Sequence, residues 1–193
     1  MVAPARVLHR LAWSRRRPGR FHGAVGAPAR PTIRENEGAT LVSMLTDDET
    51  ARLRELFERD LSGDVTLVHF TRHAGRLVVP GKAACASCAD TVAVLGELAA
   101  ASDHLSLEVH EIDAEPDLAR EHGIDKVPAT EIVGAGARGA VRLFGLPGGY
   151  EFATLIEDVI DVGAARDDLS DDAHAALDAL TRDVHLQVFV TPT

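Results

Sequence analysis

Between residues 46 and 162 the hydrophobic period switches back and forth between helical and strand spacing. That alternation restricts the fold more than any other feature of the chain. Thr46-Asp47-Asp48-Glu49 has the form of a capping box, and Leu53, Leu56, Phe57 and Leu61 then recur at helical spacing until Ser62-Gly63. Val65, Leu67, Val68 and Phe70 make a short run of strand formers. A loop containing Pro80-Gly81 leads to a second helix that Cys85 is expected to open, with Val92, Val94, Leu95 and Leu98 as its apolar positions. Leu105 to Ile112 alternates with period two, Glu115 to His122 is a short helix closed by Gly123, and Ala129 to Val133 is a third strand. The Gly-rich turn Gly134 to Gly139 returns the chain as a hairpin strand, Ala140 to Phe144. Gly149 to Val162 is a closing helix that buries Phe152, Leu155, Ile156, Val159 and Ile160. This order predicts an α/β unit with a central mixed sheet of about four strands flanked by helices.

The length, 193 residues, accommodates one such domain and a remainder. Only two cysteines are present, which excludes a disulfide-stapled scaffold. No apolar run approaches the ~20 residues of a membrane span. The net charge of −10 disfavours nucleic acid as a partner. We expect a cytoplasmic protein.

Charge divides the chain. Residues 1–43 hold Arg6, Arg10, Arg15, Arg16, Arg17, Arg20, Arg30 and Arg34 against only Glu35 and Glu37. They lack sustained apolar periodicity, and we expect a disordered basic tail. Three origins are open: an initiation site placed upstream of a natural start at Met44, a tail that contacts something acidic, or a targeting peptide. Ser14-Arg15-Arg16-Arg17 resembles a twin-arginine signal, but no apolar segment follows it. The domain is expected over 44–165.

The remainder, 166–193, repeats the start of that domain. Leu45, Asp47, Asp48, Ala51, Leu53 and Leu56 match Leu169, Asp171, Asp172, Ala175, Leu177 and Leu180. Asp64, Val65, Leu67 and Phe70 match Asp183, Val184, Leu186 and Phe189. One domain length separates the copies, so the expectation is a linker helix and the first strand of a truncated second unit.

Cys85-Ala86-Ser87-Cys88 carries the chemistry. Two cysteines with this spacing at a helix start can close a disulfide, with the first sulfur outward and the second one turn inward. Unpaired N–H groups and the helix dipole are expected to favour the thiolate of the first cysteine, Cys85. A thiolate at Cys85 attacks a substrate disulfide, and Cys88 resolves the mixed disulfide. The alternatives are half of a zinc site, for which His69, His73 and His110 lack ligand spacing, or two inert buried small residues. Val127-Pro128 precedes a strand about 40 residues later, where thioredoxin-like folds place a cis-proline beside the active disulfide. There the residue before proline offers its backbone to an extended substrate, making Val127 and Pro128 the expected substrate-binding residues.

With these motifs in place, the stretch after residue 43 resembles the N-terminal unit of the glutaredoxin-like protein disulfide oxidoreductases, which carry two tandem thioredoxin-fold units. The resemblance lies in the CxxC, in Gly123-Ile124-Asp125-Lys126-Val127-Pro128-Ala129, and above all in Gly145 to Val162. It implies dithiol–disulfide exchange with protein substrates and a part in cell redox homeostasis. It also implies reduction by a thioredoxin-reductase-type flavoenzyme. A related arrangement forms the N-terminal part of the alkyl hydroperoxide reductase flavoprotein, so service to a peroxidase is a second implied role. No cofactor is implied beyond the redox-active disulfide, and no metal. Two departures stand out: a long loop before Cys85 bearing Arg72, His73, Arg76 and Lys82, and the absence of Pro or an aromatic residue at Ala86-Ser87. A docking module with idle cysteines is the competing reading.

Overall fold

The computed structural model describes residues 43–72, 85–134 and 139–185. Most of the expected tail, the loop positions His73, Arg76 and Lys82, the hairpin tip, and the expected strand from Leu186 onward lie outside the described residues. The elements run α1 (Asp47–Asp60), β1 (Val65–Thr71), α2 (Cys88–Ala99), β2 (Leu105–Glu111), α3 (Pro116–Glu121), β3 (Ala129–Gly134), β4 (Val141–Phe144), α4 (Tyr150–Gly163) and α5 (Asp171–Asp178). The sheet order is β2-β1-β3-β4. β2 is parallel to β1, and β3 and β4 follow antiparallel. This is the predicted mixed four-stranded α/β architecture, a thioredoxin-like fold.

The helices divide unequally between the two faces. On one, Val65, Leu67 and Ile132 meet Leu53 and Phe57 of α1, Val94, Leu95 and Leu98 of α2, and Leu155 and Val159 of α4 in a single cluster. Each large side chain fully buried there contributes roughly 1.5–3 kcal/mol. On the other face, Val68, Phe70 and Ala129 pack with Ala119 of α3 and Ile124, and Ile112, Leu118 and Val127 lie partly buried against them. Polar contacts fasten that side: buried Glu131 meets His122 Nδ1 and Arg142 Nε, each at 3.1 Å.

The alternation read in β2 is only partly expressed as burial. Leu105 is buried, yet Val109 is 43% exposed on β2, an edge strand of the described sheet. Two glycines let α4 close over the α1–β1 turn. A Cβ on Gly63 would overlap the Gly163 carbonyl oxygen, so the backbones touch directly.

The capping box forms as read: Glu49 N–H donates to Thr46 Oγ1 at 3.3 Å, and Thr46 N–H donates to Glu49 Oε2 at 2.8 Å. The Thr46 hydrogen bonds hold the Glu49 carboxyl below its ordinary range, the backbone N–H contributing most.

Candidate active site

The second helix starts three residues later than the sequence implies. Cys85 precedes α2, and the first helical residue is Cys88. The reason lies in the backbone bonds: the Ser87 carbonyl accepts from Thr91 N–H at 2.9 Å and from Thr91 Oγ1 at 2.7 Å, so the ladder begins there. Cys85 thereby stands outside the helix, before a bend at Ala86 and Ser87.

Cys85 and Cys88 form a disulfide with a Cα–Cα separation of 5.5 Å. Cys85 is half-buried, whereas Cys88 is 2% exposed. The pair is therefore asymmetric, with Cys88 sheltered from solvent and Cys85 partly open to it. The Cys88 sulfur accepts the Arg72 backbone N–H at 3.4 Å, just past the end of β1. It also lies at the N-terminus of α2, where unpaired N–H groups and the helix dipole favour negative charge.

The Val127–Pro128 peptide is cis, with Val127 half-buried and Pro128 buried. Ala129, the next residue, pairs with Phe70 near the end of β1, and Gly145 N–H donates to the Pro128 carbonyl at 2.9 Å. Arg72 stands two residues past Phe70. The disulfide and the proline turn therefore flank the same end of the sheet.

His69, one of the histidines without ligand spacing, is fully buried in β1. Its Nδ1 lies 2.9 Å from Thr130 Oγ1, and its Nε2 has no hydrogen-bond partner among the described residues. Burial pushes its pKa down to about 4, against a weaker opposing pull from the Ala129 backbone, so the imidazole is neutral at physiological pH. The signal was present: His69 alternates with Val65 and Leu67 on the face that carries α2. His110 pairs with Phe70 across the ladder and so belongs to the opposite face, which keeps the two histidines from sharing a metal. Among the described residues no group of three His, Cys, Asp or Glu side chains is placed to hold an ion.

No family model matches the sequence, and no curated protein matches it. Solved structures do. A protein disulfide oxidoreductase from Aeropyrum pernix superposes with a TM-score of 0.58 at 23% identity, over 70% of this chain and 55% of that one. The N-terminal domain of the alkylhydroperoxide reductase AhpF from Enterococcus faecalis gives 0.54 at 23% identity, over 66% and 57%. A structure of a cysteine-to-alanine mutant of AhpF from the same organism gives 0.55 at 22% identity, over 70% and 61%. The chain thus spans little more than half the length of these proteins. The likeness is one of fold: this is a thioredoxin-fold unit that carries a CxxC disulfide at the edge of its second helix. No described helix is long and apolar enough to cross a membrane.

Proposed function

We propose that the chain is a thiol–disulfide oxidoreductase of the glutaredoxin-like, tandem thioredoxin-fold kind, acting on protein disulfides. The observation that carries the reading is the asymmetry of the pair, with Cys85 accessible and Cys88 buried at the start of α2. In the reducing direction the Cys85 thiolate attacks a substrate disulfide and releases one substrate sulfur as a thiolate. Cys88 then attacks Cys85 Sγ, closes the internal disulfide and frees the second substrate sulfur. Val127 and Pro128, at the same end of the sheet, receive the substrate backbone in an extended form.

The disulfide serves as the only redox group, and a thioredoxin-reductase-type flavoenzyme regenerates the dithiol. A peroxidase fits as an alternative electron acceptor, since the N-terminal domain of an alkylhydroperoxide reductase shares the fold. Residues 44–165 act as the redox unit, with 166–193 as the start of a second unit. A cytoplasmic setting suits a CxxC that must cycle rather than staple.

Insulin reduction driven by dithiothreitol tests the reading. The wild-type chain should accelerate it, Cys85→Ser should abolish the acceleration, and Cys88→Ser should accumulate a mixed disulfide visible by non-reducing electrophoresis. Activity untouched by Cys85→Ser would leave the docking-module reading in its place.

A further inference from the structure

The Cys88 sulfur faces a backbone donor whose own position needs explaining. Arg72 N–H donates to it at 3.4 Å. Arg72 follows the last registered pair of β1 and β2, Thr71 with Glu111. One further ladder bond, Ile112 N–H to the Thr71 carbonyl at 3.0 Å, precedes it. Past that point a side-chain tie joins the two chain segments: Arg72 Nε donates to Asp113 Oδ2 at 2.9 Å. The two side chains are 27% and 36% exposed, so water screens the pair less than it would a fully solvated one. A strand end that leaves its ladder holds its amide on the sulfur less firmly unless a second contact fixes it.

We propose that the Arg72–Asp113 ion pair is a positioning device for Cys88, holding the Arg72 N–H on the sulfur that receives the electron pair when attack on Cys85 opens the disulfide. The proposal rests on the exchange chemistry given above. When an external thiolate attacks Cys85 Sγ, a new S–S bond forms there and the Cys85–Cys88 bond breaks. Its electron pair leaves on Cys88 as a thiolate. In the resolving direction the same thiolate attacks Cys85, and the electron pair leaves on the substrate sulfur. A hydrogen bond strengthens about twofold when its acceptor becomes an anion, so a well-placed N–H stabilises this thiolate more than the disulfide. Arg72 acts here through its main chain, and Asp113 acts through Arg72.

The test uses the full chain in its reduced form, reading thiolate formation from ultraviolet absorbance against pH. It also uses the rate at which dithiothreitol opens the disulfide at neutral pH. In Asp113→Ala and Arg72→Ala the later of the two thiolate steps should move to higher pH, and opening should slow by up to about tenfold. Asp113→Asn keeps an oxygen acceptor for Nε–H and should recover most of the wild-type behaviour, which loss of packing would not predict. Asp113 is exposed, so its variants leave the core intact. A shift to lower pH in Asp113→Ala would overturn the proposal, because it would mean that the guanidinium acts through its own field. Unchanged titration and rate in both alanine variants would overturn it as well. Neither readout needs a protein substrate. A wild-type chain that opens normally but fails to reduce insulin would sink the proposed function, whereas an unmoved titration in an active chain sinks only the positioning role.

Discussion

α1 and α5 open on the same device and meet different surroundings. Thr46 caps α1 and Ser170 caps α5, each followed by two aspartates, and the apolar positions Leu53 and Leu177 correspond. Yet Leu53 is 6% exposed and Leu177 is 44% exposed. α1 runs 14 residues and buries Leu53 and Phe57 against α2 and α4. α5 runs eight residues and buries none. Even the caps differ: Glu49 returns the Thr46 bond in α1, whereas Ala173 stands in its place and only donates its N–H to Ser170 Oγ, at 3.2 Å. An isolated helix shorter than ~12 residues is marginal in water. Local signals therefore start both helices, and only packing gives one of them substantial stability.

The sharpest way to break this contrast is to shorten the matching leucines. Leu53→Ala should cost about 2–5 kcal/mol in urea unfolding, through lost burial and the cavity left behind. Leu177→Ala should stay within about 0.5 kcal/mol. Equal costs would mean that α5 is packed in solution after all.

Acid should separate the regions next. The packed unit holds the buried neutral His69, and α5 has no buried residue of any kind. The unfolded chain binds a proton on this histidine near pH 6.5, the folded chain only near pH 4. The contribution of His69 is therefore complete above about pH 6.5 and is lost as pH falls through about 4. Its size is roughly 3 kcal/mol. Unfolding free energies measured across that window should flatten by a comparable amount in His69→Gln. Identical slopes in the two proteins would argue against a neutral buried imidazole.

The smallest effect concerns the caps. Thr46→Ala should lower the stability of the whole packed unit by about 1 kcal/mol, since it removes a side chain from a reciprocal pair. Ser170→Ala should leave the main unfolding midpoint in place and show only as lost amide protection within α5. A shifted midpoint in the second variant would couple α5 to the core.

Much of this molecule was legible in the letters. Helical and period-two spacing placed every element from α1 to α4, because local hydrophobic period reports which face of a segment must leave water. The two cysteines stood out by their spacing, and the Val127-Pro128 step by its place before a strand. Three things were hidden. The start of α2 depends on which carbonyl Thr91 finds, and that moved Cys85 outside the helix. The exposure of Val109 depends on β2 lying at the sheet edge, a matter of strand order. The ties from His69 to Thr130 and from Arg72 to Asp113 join residues far apart in the chain, and such pairings leave no local trace.

The sequence by itself determined the alternation of helices and strands, the caps, and the identity of the disulfide pair, since each depends on residues within a few positions of one another. Tertiary structure decided which of two similar helices is buried and which face of the sheet carries three helices. It also decided which cysteine is sheltered and which histidine loses its proton. Those properties follow from removal from water by distant parts of the chain. A helix written with the right letters remains exposed until something folds over it.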